Sequence, residues 1–283
     1  MYKVEYTEGL RAANTDAGPS PSIWADCPIL DIIVDPRQGY GIFDDFLTYS
    51  STATTVLNAS GLPTFEGDCT IGGTAIAGGE VALFCTTSNE EAALEACGAQ
   101  SAPFVIPAST TATSNKLWFE CRVKKSTIAD SIANFFVGLA SQGSGVADFI
   151  HNDGNDFADV DLLGFVQWEA DGDAINVVTQ KTGAAFDTII SGVDTAVADT
   201  YAKLGFKYDP TAVVGERIKF YVDGAEQTTY VGEASGDATV YIQDTTNFPG
   251  GEEMTPVIAV KGGSASDYTV TMDWWRCYQG RSS

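Results

Sequence analysis

Between Lys116 and Lys124 the apolar side chains Leu117, Phe119, Cys121 and Val123 interleave with Lys116, Trp118, Glu120, Arg122 and Lys124. Successive side chains of an extended chain point to opposite faces, so a strict period of two demands a strand with one face buried and one wet. The pattern recurs. Leu204, Phe206 and Tyr208 share a face opposite Lys203 and Lys207, and Ile218, Phe220 and Val222 share one opposite Arg217, Lys219 and Tyr221. Asp223-Gly224 then supplies the positive-φ pair of a tight hairpin, with Glu226–Tyr230 as the returning strand. Tyr268, Val270, Met272 and Trp274 alternate with Thr269, Thr271 and Asp273.

Further strands are expected at Ile42–Leu47, Cys69–Ile76, Glu80–Cys85, Phe135–Leu139, Leu163–Trp168, Ala174–Gln180, Thr239–Ile242 and Pro256–Lys261. Many short antiparallel strands with one wet face each describe an all-β, two-sheet antiparallel sandwich. The 29 glycines among 283 residues suit its turns, and 44% hydrophobic residues suffice for a large core. One helix signal stands out: Ser88-Asn89-Glu90-Glu91 has the spacing of a capping box, followed by Ala-Ala-Leu-Glu-Ala-Cys.

Residues 1–40 differ from the rest. Gly18-Pro19-Ser20-Pro21 breaks regular structure, and Pro28, Pro36 and Gly39 interrupt the stretch beyond it, with Ile29–Val34 as one short strand between them. The division expected is an extended N-terminal arm at 1–40 and a sandwich at 41–283. Such an arm docks either on its own domain or on a neighbouring chain.

Fifteen Lys and Arg against 38 Asp and Glu give a net charge of −23. That surface repels phosphate and anionic lipid, which argues against nucleic-acid and membrane partners. The N-terminus has no apolar signal region, and we expect synthesis in a cytoplasm. The six cysteines, at 27, 69, 85, 97, 121 and 277, lack zinc-type spacing and are expected as reduced, small core residues. Asn58-Ala59-Ser60 matches a glycosylation sequon by coincidence on this reading.

Three polar or aromatic sets are candidate sites. In His151–Asp161, the oxygens of Asp153, Asn155, Asp159 and Asp161 could serve calcium, although the bidentate Glu of an EF-hand loop is missing; a plain solvated acidic loop is the simpler reading. Trp118 and Tyr221 fall on wet strand faces, and one of the neighbours Trp274 and Trp275 must point outward. We take Trp118, Tyr221 and Trp275 as a partner or glycan surface, unless the arm or a sister subunit covers them. His151, the single histidine, lies in a loop without a nucleophile motif.

The order of Leu117–Val123, Phe136–Leu139, Leu204–Asp209, Ile218–Gly224 and the closing Asp273-Trp274-Trp275-Arg276 resembles the concanavalin A-like (laminin-G-like, laminarinase-like) jelly roll over residues 41–280. Glycan-cutting members of that superfamily resemble one another in a Glu-x-Asp-x-x-Glu strand. Glu66-Gly67-Asp68 continues to Ile71, and Glu169-Ala170-Asp171 carries a turn-forming Asp-Gly, so neither matches and we assign no catalytic residue. The arm, the missing signal peptide and the Lys-poor composition resemble tailed-bacteriophage structural proteins. That resemblance implies a non-enzymatic capsid decoration (cement) protein on the virion exterior. Its partners would be the major capsid protein and itself, as a homotrimer; it would need no cofactor, with calcium as the one possibility. The alternatives are a carbohydrate-binding adhesin module and a glycan hydrolase or lyase.

Overall fold

The computed structural model describes residues 17–46, 64–67, 69–73, 79–97, 102–106, 115–144, 148–152, 155–212, 217–228, 247–263 and 267–281. The expected strand Thr239–Ile242, the sequon at Asn58 and Asp153 lie outside them. Among the described residues, two antiparallel eight-stranded sheets stack face to face.

One sheet runs β14 (Ala225–Gln227), β13 (Ile218–Val222), β12 (Ala202–Tyr208), β7 (Leu117–Lys125), β16 (Tyr268–Gly280), β4 (Val81–Cys85), β3 (Thr70–Gly73), with β1 (Gly39–Asp44) on the far half of β16. The other runs β11 (Asp187–Thr195), β10 (Ala174–Gln180), β9 (Leu162–Gln167), β8 (Ala133–Ser141), β15 (Glu253–Gly262), β5 (Glu91–Glu95), β2 (Thr64–Gly67), with β6 (Phe104–Val105) on β15. This is the expected sandwich. Leu117, Phe119, Cys121 and Val123 point inward with Leu204, Phe206, Ile218 and Phe220, and meet Val137, Leu163, Phe165, Val177 and Ile258 of the facing sheet. Phe119 and Phe206 stack with centroids 5.0 Å apart.

Four expectations are corrected. The capping-box segment forms β5, not a helix. It is paired on both sides, by β15 and by β2, and Ala92 to Ala96 are buried, so the gain from a central strand position outweighs alanine's helical preference. Conversely, Ile29–Val34 is a short helix, α2, preceded by α1 (Pro21–Trp24). In β16 a register shift between Met272 and Trp274 inserts one residue, a β-bulge, and reverses the alternation. Trp275 and Cys277 therefore join Met272 in the core, while Trp274 turns outward. Finally, not every cysteine is a free thiol: Cys69 and Cys85 form a disulfide, with Cα atoms 4.7 Å apart. Pairing of β3 with β4 sets Thr70 opposite Phe84, which brings the residues just outside that pair together. Cys27, Cys97, Cys121 and Cys277 remain thiols.

The disulfide closes a loop between cysteines 16 apart in sequence. Reduction is expected to lower unfolding stability by about 3 kcal/mol, from the chain entropy returned to the unfolded state. Thermal melts with and without reductant measure this; equal midpoints would contradict it.

Candidate functional site

Both outer sheet faces carry aromatic side chains, and both are covered. On the β7 face, the segment from Ala17 to Gln38 crosses the sheet as a strap. Its Ile23, Trp24, Cys27, Ile29 and Ile32 pack on Trp118, Tyr221 and Tyr278. Gly205 makes this close approach possible: a Cβ there would lie 2.8 Å from Ile23 Cδ1 and 2.7 Å from the Phe119 carbonyl oxygen. Trp24 meets Tyr278 edge to face, with centroids 6.0 Å apart.

Polar contacts hold the strap in register. Glu120 is 0% exposed, and its Oε2 accepts hydrogen bonds from Trp24 Nε1–H at 2.6 Å and Ser20 N–H at 3.0 Å. Desolvation raises the Glu120 carboxyl pKa against the pull of those donors. Asp26 accepts from Trp118 Nε1–H and from Lys116 Nζ–H, each at 3.0 Å. Trp274 Nε1–H donates to the Ala17 carbonyl, and Ser22 Oγ–H to that of Gly224.

Trp118 and Tyr221 therefore do project from the outer face, as their alternation requires, but they are 2% and 3% exposed. Trp275, at 1%, faces the opposite way, into the core. None of the three forms an open aromatic platform. The strap is the cover that the sequence left undecided between this chain and another.

The acidic loop plays the corresponding part on the other sheet. Phe149, Ile150 and Phe157 cover Phe136, Val166 and Trp168. Beneath them Lys261 Nζ lies 3.2 Å from Glu91 and 2.8 Å from Asp148, while Phe149 N–H and Ile150 N–H donate to the Glu91 carboxylate. Burial pushes the Glu91 carboxyl up to about 7, against the downward pull of Lys261 and both amides.

Of the calcium candidates, Asp161 accepts from Ser141 Oγ–H, Thr182 N–H and Thr182 Oγ1–H, and Asp159 accepts from Gly183 N–H. These carboxylates clamp the β10–β11 turn; Asn155 is exposed. The described oxygens of Asp159 and Asp161 are aimed at turn donors, while Asp153 lies outside the described residues. His151 is half exposed and 3.8 Å from Asp156. Glu169 and Asp171 sit in a 3₁₀ turn, where Asp171 accepts from Asn176 Nδ2–H.

Two openings lie among the described residues. A cavity of about 160 Å³ at one end of the sandwich is bordered by Lys125, Phe135, Ile175, Asp194 and Tyr201. A groove of about 370 Å³ beside the strap is bordered by Ser22, Lys207, Asp209, Arg217, Lys219 and Glu226. The cationic groove was not singled out in the sequence, although the lysines facing each other on β12 and β13 were legible as wet-face residues. The exposed apolar side chains lie mostly on the strap and rim: Leu30 (43%), Ile33 (65%) and Val34 (82%) on α2, and Phe43 (45%) on β1.

No family model matches the chain, and no curated protein matches it. Solved structures do. A peanut lectin is 12% identical over 86% of this chain and 97% of that one, with a TM-score of 0.53. Basic winged bean lectin is 10% identical over 87% and 100%, at 0.52, and the carbohydrate recognition domain of Emp46p is 9% identical over 84% and 95%, at 0.54. The fold is the concanavalin A-like sandwich. At these identities the likeness reaches the fold alone.

Trp24→Ala is expected to cost ~3–5 kcal/mol and to red-shift tryptophan emission as Trp118 meets water. An unshifted spectrum would show that the strap does not seal that face. For Glu91, a carboxyl pKa raised on folding contributes stability that is complete below its ordinary value near 4.5 and is lost as pH rises through about 7. Relative to Glu91→Gln, the wild type is therefore expected to lose on the order of 3 kcal/mol between about pH 4 and about pH 8 in urea titrations. A constant difference would refute the assignment.

Proposed function

We propose that this chain is a non-enzymatic structural module of a tailed-phage virion, decorating the capsid by seating α2 and the β1 rim on the major capsid protein. The observation that carries the reading is the apolar rim: Leu30, Ile33 and Val34 project from a helix whose other side is anchored by Ile29 and Ile32. A six-residue helix exposing three aliphatic side chains gains little on its own chain and presents a surface that a partner would bury. Phe43, also exposed, lies on β1, which among the described residues pairs on one edge only, with β16. The −23 charge over the remaining surface would keep an outward face soluble. Three copies around a local threefold would repeat the contact and multiply its effect.

The fold shared with peanut and winged bean lectins supports a second reading, glycan binding. On that reading the sugar site lies away from Trp118, Tyr221 and Trp275, which are covered.

Deleting residues 1–40 would uncover Trp118, Tyr221 and Tyr278, so surface variants are the better test. Leu30→Glu/Ile33→Glu is expected to keep the thermal midpoint and to weaken co-sedimentation with shells stripped of this protein by ~tenfold or more. Undiminished coating by the variant, or failure of the wild type to associate with shells, would overturn the proposal. Specific binding on a glycan array by both forms would favour the second reading.

A further inference from the structure

The groove beside the strap has a charge pattern at odds with the molecule around it. Lys207 on β12 and Lys219 on β13 are direct cross-strand partners on the outer face, and like charges so placed repel. Arg217, two residues before Lys219 and just ahead of β13, borders the same groove. Three cations thus converge in a chain with only 15 basic residues against 38 acidic ones.

The nearby carboxylates are largely engaged. Asp26 serves Trp118 and Lys116, and its oxygen stands 3.9 Å from Lys207 Nζ. Asp209 serves Lys116 at 2.5 Å and accepts from Thr211 N–H and Oγ1–H. Glu226 pairs with Lys219 at 3.0 Å. Arg217 Nε–H donates to the Ala212 carbonyl at 3.3 Å, and among the described residues its Nη1 has no hydrogen-bond partner. The side chains of Lys207 and Lys219 border the groove and are 22% and 25% exposed.

We infer that this groove binds an extended acidic segment of a protein partner, with carboxylates at alternate residues. An extended peptide repeats its side chains on one face every ~6.6 Å, and Arg217 and Lys219 stand two residues apart at the start of β13, so an Asp/Glu-x-Asp/Glu stretch laid along that strand meets both. Lys207 stands across from Lys219 to hold the second carboxylate from its other side. An incoming carboxylate between the two lysines bridges them in addition to the contacts of Lys219 with Glu226 and of Lys207 with Asp26, and the planar guanidinium donates to a carboxylate in a fork. Among the described residues the one aromatic that lines the groove, Tyr221, is 3% exposed and offers no open stacking plane to a sugar ring. The distant acidic surface is screened within ~8 Å at physiological salt and does not cancel the local attraction.

The inference is independent of the α2 rim and of the capsid reading. The probe is a dye-labelled (Glu-Gly)₅ peptide followed by fluorescence anisotropy against the full chain, with (Gln-Gly)₅ as control. Saturable binding of the acidic peptide is expected, weakening with added salt and reduced ~tenfold or more by Lys207→Gln/Lys219→Gln. Leu30→Glu/Ile33→Glu should bind the peptide as the wild type does. Arg217→Gln, measured separately, supplies the same test should the double variant fold poorly. No saturable binding, equal binding of (Gln-Gly)₅, or affinity unmoved by these substitutions would overturn the inference. Tighter binding of oligogalacturonate than of the peptide would overturn it as well, by making the groove an acidic-sugar site.

Discussion

The carboxylate of Glu120 sits at the middle of a sheet face that its own strand pattern marks as wet, and it is completely buried. An uncompensated buried carboxylate is among the most costly things a fold can contain. Here Trp24 Nε1–H and Ser20 N–H reach it from the strap, so the burial of Trp118, Tyr221 and Tyr278 and the placement of α1 depend on one another. Remove the strap and the face is left with a carboxylate among exposed aromatics; remove the carboxylate and two donors of the strap are orphaned.

The opposite face obeys the same logic with different chemistry. Phe136, Val166 and Trp168 need a cover, and Phe149, Ile150 and Phe157 provide it. The polar anchor is Glu91, which takes both backbone donors of the loop while Lys261 neutralises it from beneath. On each face a buried carboxylate, Glu120 or Glu91, takes backbone donors of the segment that covers it. A sandwich built this way keeps its broad faces closed and offers partners its rims: α2 with β1 on one side, and the groove of Lys207, Arg217 and Lys219 on another.

Most strands were legible because period two survives wherever one sheet face is apolar. Ala174–Gln180 is reproduced at both ends, and Lys116–Lys124 within one residue. The pattern misled where two periods coincide. In Glu91–Glu95 the glutamates are four apart, which shares a face in a helix and in a strand alike, and only pairing with β15 and β2 selects the strand. It misled again at Asp273, where one bulged residue exchanges the directions of Trp274 and Trp275. The acidic loop was legible as polar, but its use was not: whether Asp161 turns to an ion or to Thr182 depends on a turn 21 residues away.

By itself, the sequence determined the fold class, the charge and the alternation of inner and outer side chains, because these arise from the local geometry of an extended chain. Tertiary structure decided the rest. The cover over Trp118, the partner of Cys69 and the neighbours of Lys207 are all contacts between segments remote along the chain, and such contacts leave no periodic trace in the residues that make them.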